Sequence, residues 1–242
     1  MAPGAERSDV PKDESGSQTL SRGIRILEFV ADHGAPASIP SIVAGLGLHR
    51  SIVYRLLRTL EQHRLIFRDE NGLVSPGPKL ASLAASVGHD IQSVALPVLR
   101  SAAEDLGATC FLVMLDRDEV FTLLSVEPSR SRVTVAERPG THHPLGVGGP
   151  GRSILAQLSE QQWPTDLTPE QRDGVILVRT TGFSVSHDEV ILGLQSIAVP
   201  LPLLGHAPLA VAVVYVTLPQ SHAEIATRLS AAAAEITAAV QG

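Results

Sequence analysis

The sequence predicts an α+β chain: a small helical head closed by a hairpin, then a larger body built on an antiparallel sheet. Three observations predict it. Apolar residues recur at helical spacing in three short blocks between Leu20 and Leu60. Residues 65–74 hold two short apolar runs about an Asn-Gly pair. After Thr109 the period changes, and continuous apolar runs of strand length alternate with charged turns.

The elements follow in order. Residues 1–16 are polar, with Pro, Gly and acids, and read as a disordered tail without the apolar core of a signal peptide. A first helix carries Leu20, Ile24, Leu27 and Ala31 as its apolar stripe, is capped by Ser17 or Thr19, and stops at His33-Gly34 before Pro36. Ser38 or Ser41 caps a short second helix, and Gly45 to Gly47 makes a tight turn. The third helix has two chemically different faces. Val53, Leu56, Leu57 and Leu60 form the buried one, while Ser51, Tyr54, Arg55 and Arg58 recur at i, i+3, i+4 and i+7 as a cationic, hydrogen-bonding one. A helix with that second face, following a short helix and a turn, is built to enter a DNA major groove. Leu65 to Val74, with Asn71-Gly72 at its tip, is a hairpin. A hairpin directly after a recognition helix is the wing of a winged helix-turn-helix, so residues 17–78 form the DNA-binding head.

Pro76-Gly77-Pro78 breaks the chain, and residues 79–91, rich in Leu, Ala and Ser, read as a linker helix that pairs with a partner copy. The body occupies residues 92–242. Its first helix, Ser93 to Leu106, carries Leu96, Leu99, Ala103 and Leu106 on one face and ends at Gly107. Cys110–Leu115 and Val120–Val126 form a hairpin about Asp116–Glu119, and Val133–Ala136 is a third short strand. Gly151–Leu158 reads as a helix entered through the loop His142–Pro150. Ile197–Leu201 and Leu209–Val216 are further strands, and Ser221–Val240 is a terminal helix.

Charge sorts with this division. Residues 17–80 hold eight Lys or Arg against five acids, while the remaining body holds nine against sixteen. A basic head on an acidic body suits a DNA reader carrying a second, non-DNA domain. The 242 residues and 44% apolar content suffice for two cores. A single cysteine, Cys110, excludes a disulfide framework and a Cys-based zinc finger, and suits a reducing cytoplasm. No run approaches the ~18 apolar residues of a membrane helix.

The segments Thr19–Glu28, Gly47–Leu57, Pro144–Leu155 and Gly182–Leu194, in this order of elements, resemble the IclR family of bacterial transcriptional regulators from about residue 18 to the C-terminus. The resemblance implies a GAF-like effector-binding body, a homodimer or homotetramer, a palindromic double-stranded operator, and repression of a catabolic or metabolic operon in response to a small organic effector. It also implies an effector pocket from three segments: Gly148, Gly149 and Gly151 at a helix start, Ser186 to Ser196 with Leu194, and the strand bearing Val213 and Tyr215. A helix N-terminus would suit a small organic anion. This chain departs from the family there. Pro150 stands where a residue with an N–H is usual, Gly146 replaces a histidine, and Arg152 replaces a lysine. Val213 and Tyr215 occupy positions of small polar groups, which favours a bulkier, aromatic effector anchored by Ser186, Ser196 and Tyr215.

For DNA, Ser51, Tyr54 and Arg55 are the expected groove contacts, with Arg50 and Arg58 at phosphates or base edges. Arg68 and Asn71 in the wing and Arg22 on the first helix position the backbone. The sequence offers no cofactor or metal site. His142-His143 are neighbours on an extended segment and point to opposite faces. Gly146–Gly151 lacks the Lys-Ser/Thr ending of a phosphate loop, and Cys110 reads as an inert core thiol. No nucleophile, base and orienter assemble from spacing, so the chain is not expected to be an enzyme. The alternatives are a ligand-processing enzyme carrying a winged helix, which would turn its ligand over, and a protein-interaction module, which would not need the arginine face.

Overall fold

A computed structural model describes residues 16–84, 89–129 and 135–241. The chain divides into two compact units, Met1–Val87 and Gly88–Gly242.

The head contains α1 (Gln18–Asp32), α2 (Ile39–Leu46), α3 (Arg50–Gln62), the hairpin β1 (Ile66–Arg68) and β2 (Val74–Pro76), and α4 (Pro78–Ala84). Both open capping choices resolve to the earlier serine. Ser17 accepts from the Leu20 N–H at 3.4 Å and Ser38 from the Ser41 N–H at 3.1 Å. Gly47 ends α2 at φ 63°, a left-handed conformation in which glycine bears no side-chain penalty. The stripe predicted for α1 is displaced. Gly23, Ile26 and Val30 are buried, whereas Leu20 and Ile24 are 64% and 45% exposed. Two apolar stripes coexist on this helix, and the contacts of α2, α3 and β2 select the other one. The core is Ile26, Val30, Ala37, Ile42, Val53, Leu56, Leu57, Leu60, Ile66 and Val74. The wing ends two residues later than predicted, with Ile66 opposite Pro76, and Ala37 bridges to Val74.

Linker residues 85–88 lie outside the described residues. On either side, α4 ends at Ala84 and α5 (His89–Leu106) begins four residues before the predicted Ser93. Its Ile91 is already 2% exposed, which is why the second unit starts ahead of residue 92.

The body is built on a six-stranded antiparallel sheet in the order β5-β4-β3-β8-β7-β6. The strands are β3 (Thr109–Asp116), β4 (Glu119–Val126), β5 (His142–Pro144), β6 (Ser184–His187), β7 (Gln195–Leu201) and β8 (Leu209–Tyr215). Alternation along each strand divides the core in two. Cys110, Leu112, Ile197, Val199, Val211 and Val213 face α5 and α8 (His222–Gln241), while Phe111, Val113, Ala198, Ala210, Ala212 and Val214 face α6 (Gly148–Leu155) and the side of α7 (Pro169–Thr181). Of the predicted strand Val133–Ala136, only the second half is described. Val133 and Thr134 lie outside the described residues, and Val135 and Ala136 are not in a strand. The edge beside β4 is taken by β5, read from sequence as loop, with Phe121 opposite His142. The helix predicted over 151–158 starts three residues earlier. Pro150 is tolerated because first-turn N–H groups have no partner within the helix.

Candidate DNA interface and effector cleft

Tertiary packing aims the third helix. Val53, Leu56, Leu57 and Leu60 are all under 9% exposed, so Ser51, Tyr54, Arg55 and Arg58 are left facing solvent. His49 caps the helix. Its Nδ1 accepts from the Ser51 N–H at 3.3 Å and lies 2.8 Å from Ser51 Oγ. The guanidinium of Arg50 donates to the Tyr54 hydroxyl at 3.2 Å and lies 5.5 Å from the ring centroid. That contact holds both side chains on the solvent face, one turn apart. Arg55 and Arg58 have no ion-pair partner among the described residues, so both charges remain available. Sequence reasoning did not single out His49, because a histidine before a helix carries a weaker capping signal than Ser, Thr, Asp or Asn.

The wing residues differ from one another. Asp69 organises the tip, its Oδ1 accepting from the Asn71 and Leu73 N–H groups at 2.9 and 2.8 Å, which leaves the Asn71 side chain exposed. Arg68 pairs with Glu61 of α3 at 3.4 Å, so this charge is partly neutralised within the head. Arg22 is half-buried on α1.

In the body, a cleft opens between α6 and the β6–β7 hairpin. It is lined by Phe111, Pro150, Ser186, Leu194, Ser196 and Val214, with Glu137, His143, Glu189, Val190, Ile191 and Gln195 around them. With its open mouth included, it spans about 490 Å³. Ser186 and Ser196 stand opposite each other on β6 and β7, and their hydroxyls are 2.7 Å apart.

Three expected residues are placed differently. Val213 and Tyr215 project through the other face of the sheet, into the core beneath α5 and α8. Their neighbour Val214, opposite Ser196, lines the cleft. The assignment from sequence was one residue out of register, and on a strand one residue exchanges the faces. The Tyr215 hydroxyl is buried without a partner among the described residues, and burial pushes its pKa up. Gly151 does not reach the cleft. It packs on the Leu145 carbonyl, which leaves no room for a side chain. Gly148 and Gly149 approach its lining residues Val190 and Ser196. A Cβ on Gly149 would stand 2.8 Å from Ser196 Oγ, so glycine permits the approach of α6 to β7.

A polar framework that the sequence did not disclose holds this approach. Arg152, 10% exposed at its side chain, donates to both oxygens of Glu189 at 2.9 and 2.7 Å, and to the Val185 carbonyl at 2.7 Å. Glu189 also accepts from the Gly148 N–H at 3.0 Å. Ser184 donates to the Gly149 carbonyl at 2.6 Å, and Ser153 to that of Ala198 at 3.0 Å. The alternation Ser184-Val-Ser186 was the available signal, since two polar residues on one strand face in an apolar body mark a buried network or a site. No such signal links Arg152 to Glu189.

Among the described residues no three His, Cys, Asp or Glu side chains gather as metal ligands. Cys110 is fully buried, and desolvation pushes its thiol up to about 12. No described helix is long and apolar enough to cross a membrane.

A winged head with an exposed cationic recognition helix, followed by a domain built on an antiparallel sheet, defines a DNA-binding transcriptional regulator. Residues 19–70 match the IclR helix-turn-helix domain and residues 83–238 the bacterial transcriptional regulator IclR C-terminal domain; the chain belongs to the IclR family. It is 26% identical over 200 residues to the acetate operon repressor of Salmonella typhimurium LT2, covering 75% of this chain and 73% of that one. It is 27% identical over 206 residues to the transcriptional repressor AllR of Escherichia coli K12, covering 78% and 76%. Among solved structures, an IclR regulator from Alicyclobacillus acidocaldarius superposes with a TM-score of 0.78 at 26% identity, covering 93% of this chain and 99% of that one. An IclR homologue from Microbacterium hydrocarbonoxydans, complexed with 4-hydroxybenzoate, superposes at 0.81 with 20% identity and the same coverage, a likeness of fold.

Proposed function

We propose that this regulator is a repressor that binds a palindromic double-stranded operator as a homodimer or a pair of dimers, and that a small organic effector in the body's cleft controls that binding. The observation that carries the DNA reading is the third helix, whose apolar side is fully packed while Ser51, Tyr54, Arg55 and Arg58 face solvent with two arginines unpaired. Ser51, Tyr54 and Arg55 read base edges, Arg50 and Arg58 hold phosphate or base edges, and Asn71 and Arg22 position the backbone. Arg68 contributes less, because Glu61 already holds it. The names of the acetate operon and AllR repressors support negative regulation of a metabolic operon.

The effector lies between Phe111, Leu194 and Val214, with Gly148, Gly149, Ser186 and Ser196 at its polar edge. The 4-hydroxybenzoate complex of the Microbacterium homologue supports an aromatic ligand. The exposed Leu20 and Ile24 of α1 and Leu83 of α4 supply apolar surface for pairing of two heads. The ligand acts by its different affinity for the DNA-competent and incompetent arrangements of those heads, without being turned over, in the cytoplasm.

The test is fluorescence anisotropy of the full chain with DNA from its own upstream intergenic region, against unrelated DNA, at several salt concentrations, followed by footprinting. A protected palindrome with preferential, salt-dependent binding is expected. Equal weak binding to both DNAs, unchanged by Arg55→Ala, would sink the operator reading.

A further inference from the structure

We infer that the cleft selects an uncharged or positively charged ring compound and rejects organic anions. This rests on the cleft being the effector site and adds the charge class of its ligand.

The first turn of α6 is where an anion would be expected, because helix N-termini present unbonded N–H groups. Two of its first three positions are closed from within the chain. The Glu189 carboxylate accepts from the Gly148 N–H at 3.0 Å, and Pro150 in the same turn has no N–H to offer. The adjoining cation is committed as well. Arg152 spans both Glu189 oxygens at 2.9 and 2.7 Å and holds the Val185 carbonyl at 2.7 Å, so a ligand carboxylate would have to displace a tethered one. Displacement would also strip Glu189 of its partners in a partly desolvated place.

The charge that remains in the cleft is negative. Glu137 lines it, accepting from the Thr122 hydroxyl at 2.9 Å, and no cation among the described residues stands within ion-pair distance of it. The other polar groups suit a neutral ligand. His143 lies 3.2 Å through Nδ1 from the Pro144 carbonyl, which leaves Nε2 for a ligand. The Ser186 and Ser196 hydroxyls share one hydrogen bond, so one of their two protons is left to donate. Apolar walls with one carboxylate and a hydroxyl pair recognise an amine, amide or phenol on a ring. A carboxylate there would face Glu137 with no compensating cation.

The test uses matched sets on phenyl, 4-hydroxyphenyl and indole rings, each bearing a carboxylate, a carboxamide or an aminomethyl group. Each is titrated calorimetrically into the full chain, with Leu194→Trp, which fills the cleft, as the control for location. The amide or amine of at least one ring should bind at least tenfold tighter than its carboxylate, and Leu194→Trp should abolish that binding. Glu137→Gln should reduce the amine-over-amide ratio at least threefold while amide binding persists. A carboxylate that binds as well as or better than its amide and amine, and is lost in Leu194→Trp, overturns the charge inference and leaves the effector cleft standing. If no ring in any form shows binding sensitive to Leu194→Trp, the cleft itself is not the effector site.

Discussion

Removing the Arg152 side chain tests the framework that shapes the cleft. In Arg152→Met the stem volume is largely kept, while three charge-assisted donations are lost, two to Glu189 and one to the Val185 carbonyl. Deleting one partner of a fully buried pair costs about 3–5 kcal/mol, chiefly because the other charge is stranded. Here the Glu189 side chain is 32% exposed and retains the Gly148 N–H, so water and the helix N-terminus recover part of that loss. The expected cost is therefore about 2–3 kcal/mol. With a urea slope of about 2 kcal/mol/M, the midpoint falls by about 1–1.5 M. The single tryptophan, Trp163, is 6% exposed and donates its indole N–H to the Leu155 carbonyl at the end of α6, so its fluorescence reports unfolding of the body. Arg152→Met/Glu189→Leu removes both charges and should return to within about 1 kcal/mol of the parent, a coupling of about 2 kcal/mol. A midpoint shift below about 0.3 M, or a double variant whose losses simply add, would refute the reasoning.

Arg55→Ala should lower operator affinity and relax preference at one position, by about 1–3 kcal/mol, whereas Arg58→Ala should weaken operator and unrelated DNA alike and reduce the salt slope by about one; anisotropy titrations across salt separate the two. Tyr215→Phe removes a buried hydroxyl with no partner among the described residues, so it should be neutral or stabilising by about 1 kcal/mol in the same urea assay, with effector binding unchanged. Weaker effector binding in that variant would return Tyr215 to the pocket. Cys110, with its thiol at about 12, should not react with a thiol reagent at pH 7 in the native chain and should react promptly in urea. Fast native labelling would mean that β3 opens far more readily than its burial implies.

Two features of the candidate site could not be reached from sequence for a geometric reason. The serines at 186 and 196 come together because β6 and β7 form a hairpin in which their pairing is local. Val213 and Tyr215 were displaced because β8 enters after a turn, where a shift of one residue leaves the apolar run Leu209 to Tyr215 equally plausible on either face. All seven of its residues are buried, so no polar position marks which side is which. The same ambiguity misplaced the stripe of α1, where Leu20, Ile24 and Leu27 compete with Ile26 and Val30.

By itself the sequence determined whatever depends on neighbours along the chain: the helix-turn-helix, the Asn-Gly hairpin, and the division of α3 into a buried and a cationic face. Those follow from the 3.6-residue period and from turn chemistry, both of which act over a few residues. Only the tertiary structure decided that Glu189, 37 positions from Arg152, fills the start of α6. It likewise decided that β5 pairs beside β4, and that Val214 rather than Val213 faces the cleft. Those outcomes depend on strand register and on electrostatic pairing across the fold, and neither leaves a periodic trace in the sequence.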